Sequence, residues 1–191
     1  DIKTSDHWPL TKDKARFQGA GVAVVLGESR GLADDGAEAV DVQYDALPAV
    51  LDIEDAVRDG APLVHDELGT NAVVHWRHGG GGEQSLFESA PGKLKLRYEA
   101  PRTTPSAIEP RGALASPVPS LGEFTLWTST QIPHIARVTL SGTTGIPEHK
   151  LRIVAPDVGG SFGGKLNVYA EEALCLALAR RTGRPVKWIE S

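Results

Sequence analysis

The stretch "DVGGSFGGK", residues 157–165, sets four glycines around a single phenylalanine. It constrains this chain more than any other segment. Before it stands "KLRIVAP", a short β-branched run suited to a strand. After it stands "NVYAEEALCLALARRTG", with apolar residues at helical spacing, Glu171 and Glu172 early, and Arg180 and Arg181 late. Both charge placements favour the helix dipole, and Gly183 and Pro185 supply the stop. A strand, a glycine-rich turn and a helix in that order present backbone N–H groups to an anion or a polar ligand. Four readings follow. A tight turn without a ligand is the simplest. A phosphate loop matches Gly159, Gly164 and Lys165 as G-x-x-x-x-G-K, but Leu166 stands where a hydroxyl should hold magnesium. A dinucleotide fingerprint needs glycines at offsets that no register here supplies. In the last reading the loop lies flat against a large planar ligand, with Phe162 as a wall.

The rest of the last third is regular. "EFTLWTST" reads as a strand, and "QIPHIARVTLSG" as a helix with Pro133 in its first turn and Gly142 near its end. "PVKWIE" reads as a closing strand. Upstream, "PRTTPSAIEPRGALASPVPS" carries prolines at 101, 105, 110, 117 and 119, so its backbone is expected to be extended or turning. Alternation in "KLKLRYEA" predicts a strand, and "HGGGGEQSLFESAPGK" predicts a flexible loop or domain boundary over 79–92. Residues 58–78 read as loop and turn. The segment 17–57 reads as strand, helix, strand: "VAVVL" at 22–26, a helix from Leu32 to Val40 weakened by Gly31 and Gly36, and "DVQYDAL" as a half-exposed strand. Strands alternating with helices give an α+β class, with no internal repeat.

A net charge of −5 argues against a partner that needs a basic field, whether nucleic acid or an anionic membrane. No apolar run is long enough for a membrane span, and "DIKTSDHWPL" does not read as a signal peptide. The single cysteine, Cys175, permits no internal disulfide and fits a reducing, cytoplasmic compartment. One cysteine also cannot build an iron–sulfur cluster or a cysteine-type zinc site. His65, His75 and His78 match no strong zinc spacing, so no metal ligand is expected among them. Cys175 lies among leucines, as a buried small hydrophobe.

"DVGGSFGGK" closely resembles the G-G-x-F-G-G-K signature of the molybdenum hydroxylases, the xanthine dehydrogenase, aldehyde oxidase and aerobic carbon monoxide dehydrogenase superfamily. "TSTQIPH" (128–134) is similar to that family's strand-end S-T-Q. "IEPRG" (108–112) is similar to its M-E-P-R-G, with Ile108 for Met, and "GIPEHKLRIVAPDVGG" resembles its connecting segment. Residues 7–70, ending in "APLVHDELGTN", resemble the second half of the small domain before the molybdenum domain. The resemblance implies a partial hammerhead-type α+β domain over 1–60, a linker and loop over 61–95, and the start of a molybdopterin-binding domain over 96–191. It is nearest to bacterial carbon monoxide dehydrogenase-like large subunits. Departures are Gly19-Ala20-Gly21 where relatives place Gly-Glu-Pro, a poor fit over 79–97, and Ser161 in place of a third glycine. Relatives continue several hundred residues further, into the part that holds the catalytic glutamate and the substrate-side loop. The resemblance therefore implies a segment of a large subunit that does not turn over substrate alone.

The resemblance also implies roles. Gln131 is the candidate catalytic residue, since in the family this amide contacts an oxo ligand of molybdenum. On local sequence alone it is equally a helix-cap residue. Gly160, Ser161, Phe162 and Gly163 would line the dithiolene side of molybdopterin, expected in its cytosine dinucleotide form. Phe162 taken alone reads as a core aromatic. Lys165 either pairs with a phosphate or is solvated. Glu109 and Arg111 are expected as a hydrogen-bonded pair holding the domain together. Leu166 replaces the glutamate that purine-oxidising relatives carry after this lysine, which disfavours xanthine. Electrons would leave through an iron–sulfur small subunit with 2Fe–2S clusters and an FAD medium subunit. The remainder of the large subunit and a small-molecule substrate complete the partners. Two alternatives stand beside this: a nucleotide-phosphate binder using the loop and Lys165, and a non-catalytic assembly fragment.

Overall fold

A computed structural model describes residues 2–191. The chain forms two compact units, one of Asp1–His7, Lys14–Gln18 and Val25–Arg102, the other of Trp8–Asp13, Gly19–Val24 and Thr103–Ser191.

In the first unit, α1 (Arg30–Glu38) starts at Ser29, whose hydroxyl accepts the Leu32 N–H at 3.3 Å. Gly36, which weakens the helix by propensity, has a packing reason. A Cβ there would stand 2.8 Å from Val25 Cγ1, so only glycine lets α1 lie this close to the segment before it. The loop expected over 58–78 is present and is knit by one side chain. Asn71 donates to the carbonyls of Ala56 and Pro62, and its oxygen accepts the Val64 N–H, each at 2.9 Å. Lys14 Nζ adds bonds to the Leu63 carbonyl and the Asp66 carboxylate. The strands expected at 22–26, 41–47 and 93–100 carry no ladder. Alternation fixes which side chains share a face, but a strand is stable only beside another strand. Among the described residues these segments find none. Where a flexible loop is expected over 79–92, a short helix forms instead, α2 (Glu83–Ser89). The Glu83 carboxylate accepts the N–H groups of Gly80 and Gly81 at 2.6 and 3.0 Å, tying the glycine run to the helix start.

The second unit is a four-stranded sheet with two helices packed on it. Its strands are β1 (Gly112–Val118), β2 (Glu123–Thr128), β3 (Leu151–Val154) and β4 (Val186–Ile189), in the order β3-β2-β1-β4. β1 and β2 form an antiparallel hairpin, β2 and β3 are parallel, and β4 closes antiparallel on β1. The parallel pair requires a crossover, supplied by α3 (Pro133–Thr144). The second crossover is α4 (Ala170–Thr182). Gly145 and Gly183 end these helices in left-handed conformation, at φ 70° and 68°. α3 thus runs two residues past Gly142. Arg180 donates to the Thr144 carbonyl, satisfying one orphan acceptor at the end of α3.

β1 is the strand that the prolines hide. Pro117 sits in it without breaking a ladder on both sides, because β4 pairs only with Gly112–Ala115 and leaves that flank of Pro117 open. Alternate residues of the sheet face the helices. Leu126, Leu140 and Leu176 are fully buried there, and Ala113, Ala115, Ala136, Ala173 and Ala179 let the layers approach. Each buried leucine contributes about 1.5–3 kcal/mol of transfer free energy. Cys175 belongs to this core, and burial pushes its thiol up to about 12, so it is an inert hydrophobe as expected.

Candidate functional site

The site lies where three chain segments meet at one end of the sheet. β2 runs out at Thr128, and residues 129–132 lead into α3. β3 runs out into the glycine loop. The segment before β1, residues 105–111, crosses between them. Gln131 N–H donates to the Lys165 carbonyl at 3.0 Å, which joins the end of the loop to the start of α3. Thr130, buried beneath, donates to the same carbonyl at 3.5 Å, and its oxygen accepts the Ile132 N–H. The Tyr169 hydroxyl donates to the Gly164 carbonyl at 2.6 Å from the far side.

One carboxylate oxygen organises the rest. Glu109 Oε2 accepts from the Ser129 hydroxyl at 2.8 Å, the Gly159 N–H at 2.8 Å and Lys165 Nζ at 2.7 Å. In return the Glu109 N–H donates to the Gly159 carbonyl at 3.2 Å. The Lys165 bond, then the Ser129 hydroxyl, then the Gly159 N–H hold the Glu109 carboxyl down at about 2. It is a carboxylate at any working pH and is not a proton acceptor. Glycine at 159 is obligatory, since a Cβ would stand 2.6 Å from Glu109 Cβ.

Two expectations are corrected here. Lys165 is neither solvated nor directed at a phosphate: its side chain is 3% exposed and its ammonium is held by Glu109. Glu109 and Arg111 are not paired with each other. Arg111 reaches the other way, to Glu190 at 2.8 Å and Glu171 at 3.2 Å, and its guanidinium lies 4.0 Å from the Tyr169 ring centre and 5.1 Å from that of Trp188. The two neighbours thus serve separate clusters, one under the loop and one joining α4 to β4. Spacing alone could not show that the chain bends at Ile108 and Glu109, ahead of Arg111.

The loop itself is pinned at both ends and bare between. Gly164 N–H donates to the Ser161 carbonyl at 2.7 Å, and Leu166 N–H to that of Gly163. The N–H groups of Gly160, Ser161, Phe162 and Gly163 have no acceptor among the described residues. Gly160 and Gly163 have φ of 98° and 89°. A Cβ at Gly163 would project into open space, so the backbone there is uncovered. Phe162 is the one described non-glycine residue with positive φ, at 46°, a strained conformation for an aromatic. It is 78% exposed and so is not a core residue. A Cβ at Gly160 would come within 3.4 Å of its ring. Gln131 is exposed, and its side-chain amide forms no hydrogen bond with the described residues.

The arrangement offers a run of backbone donors, an exposed aromatic edge and a free amide adjoining the loop's end. These fit a large, flat, polar ligand with several acceptors. They do not fit a protein-held metal ion. Among the described residues no three His, Cys, Asp or Glu side chains are grouped to ligate one, and His65, His75 and His78 lie in the other unit. Ser129 and Tyr169 were missed as site residues. Ser129 lies inside the S-T-Q motif, whereas nothing local marks Tyr169.

Residues 64–191 match the family model of the molybdopterin cofactor-binding domain. The chain is 36% identical to the carbon monoxide dehydrogenase large chain of Hydrogenophaga pseudoflava, over 95% of this chain and 24% of that one. Its structure matches that of quinoline 2-oxidoreductase from Pseudomonas putida 86 with a TM-score of 0.91 at 36% identity, covering all of this chain and 24% of that one. It matches a Cu,Mo-containing carbon monoxide dehydrogenase with a TM-score of 0.85 at 34% identity, covering 96% of this chain and 25% of that one. The chain thus spans about a quarter of the length of these three relatives.

Proposed function

The chain belongs to the molybdopterin cofactor-binding domain family, and from that premise we propose that residues 160–163 and Gln131 hold the pterin and metal ends of a molybdenum cofactor in an oxidoreductase large subunit. The observation that carries this reading is the run of four N–H groups, fixed at both ends, beside an amide, all without a partner among the described residues. Bare N–H groups at Gly160, Ser161, Phe162 and Gly163 would donate to the pterin side, and the Phe162 ring would wall the cofactor from water. Gln131 would donate from its amide toward the metal end, as an uncharged group that orients without ligating. When bound, the cofactor supplies two-electron oxidative hydroxylation of an electrophilic carbon. The cytosine dinucleotide form belongs to the same reading.

Glu109 takes no proton in this scheme, because three donors on Oε2 hold its carboxyl down at about 2. Carbon monoxide, an aldehyde or an activated ring C–H are the substrate classes. Leu166 is half exposed and offers no hydrogen bond to a heterocycle, which weighs against purines. By the same reading the electrons pass to iron–sulfur and FAD subunits. Residues 1–60 are read as part of a hammerhead-type domain, and the setting as cytoplasmic. In the described chain no helix is long and apolar enough to cross a membrane. The nucleotide-phosphate alternative loses its cation, since Lys165 is committed to Glu109.

The test is the molybdenum and pterin content of the purified complex carrying Gly163→Val or Gln131→Ala. Gly163→Val is expected to abolish cofactor retention, because valine cannot adopt φ near 89° and would cover the bare backbone. Gln131→Ala is expected to retain cofactor and to lower kcat by about 100-fold, the usual scale for one lost orienting donor. Full cofactor and activity in both variants would refute the reading.

A further inference from the structure

Glu109 has a role beyond holding two segments together. Its Oε2 contacts the first glycine of the loop and the lysine that ends it, Gly159 at 2.8 Å and Lys165 at 2.7 Å. Between those points lie the four bare N–H groups and the strained Phe162. A flexible stretch rich in glycine does not hold a positive-φ phenylalanine unless its ends are over-determined. The same oxygen takes the Ser129 hydroxyl, two residues before Gln131, whose own N–H meets the Lys165 carbonyl. One atom therefore sets the separation between the donor run and the orienting amide. We propose that Glu109 is a positioning residue that fixes the conformation of loop 160–164 and its register against Gln131, with Lys165 as its fixed counter-charge rather than a ligand group.

This rests on the cofactor reading above, so the experiment separates the two. The whole complex is prepared with Glu109→Gln and with Lys165→Met. Amide hydrogen exchange is measured on the peptide spanning the loop, and on β1 and β2, in cofactor-depleted protein, and molybdenum per large subunit is measured before depletion. Glutamine keeps the shape and an acceptor but strips the charge from the lysine pair. The expected result is acceleration at the hydrogen-bonded loop amides of Gly164 and Leu166 at least about tenfold beyond any acceleration in β1 and β2, with molybdenum content reduced. A merely structural role would raise exchange in the loop and the sheet to the same extent, and that result overturns the proposal. Unchanged exchange in the loop overturns it as well. Faster loop exchange at full molybdenum content upholds the positioning role and removes the cofactor reading instead. If Glu109→Gln fails to assemble, Ser129→Ala and Lys165→Met each delete one donor to Oε2 and are read by the same criteria. Glu109→Asp, with a shorter reach but the same charge, is expected to leave exchange intermediate between wild type and Glu109→Gln.

Discussion

The two units of this chain differ in one respect that governs everything else. Every buried side chain among the described residues lies in the unit that contains the sheet, whereas no residue of the other unit is buried. Both contain capped helices, turns and alternating apolar segments. In the sheet unit the alternating segments have partners, and their apolar faces meet α3 and α4. In the other, Leu94, Leu96 and Tyr98 share one face of an alternating run and all stay exposed. Local signals are thus enough for a helix or a turn, while a strand needs a second segment to become one.

The sharpest way to break that contrast is to remove a buried group from the sheet unit. Glu109→Ala leaves the Lys165 ammonium buried without a partner, and should cost about 3–5 kcal/mol in denaturant unfolding. Leu126→Ala, at the centre of the core, should cost about 2–5 kcal/mol by the same measurement. In the other unit the comparable site is a hydrogen-bond hub rather than a core. Asn71→Ala orphans two carbonyls and one N–H in a half-buried loop, and a loss of about 1–3 kcal/mol is expected, read as faster hydrogen exchange over 56–72. Acid probes the sheet unit through Glu109. Glu109 has its folded carboxyl held at about 2 against an ordinary 4.5, so its stabilisation is complete above pH 4.5 and is lost as pH falls toward 2. Unfolding of the sheet unit monitored by Trp127 and Trp188 should steepen through that window, and Glu109→Gln should flatten it. The smallest effect belongs to Leu94→Ser, within about 0.5 kcal/mol, because no buried contact is lost. A large loss there would show that the unit has a core after all.

The sequence was most legible where one residue sets one local geometry. Gly183 ends α4, Pro133 opens α3, and the glycines at 160 and 163 take positive φ. It was least legible where the partner lies far along the chain. β1 was masked by its prolines, since the shortness of β4 that spares Pro117 is a tertiary fact. The partners of Glu109 lie 20, 50 and 56 residues away, so the I-E-P-R-G motif could show that a carboxylate matters without showing what it holds. α2 was read as loop because four glycines outweighed Glu83, whose carboxylate satisfies two of their amides.

The central claim is that the unpaired amides of residues 160–163 are donors to a bound cofactor. Hydrogen exchange resolved at these four amides, compared between cofactor-loaded and cofactor-depleted complex, tests it most directly. Selective slowing at 160–163 on loading, with the already bonded Gly164 unchanged, is the predicted result. Equal exchange of all four amides in the two states would contradict it.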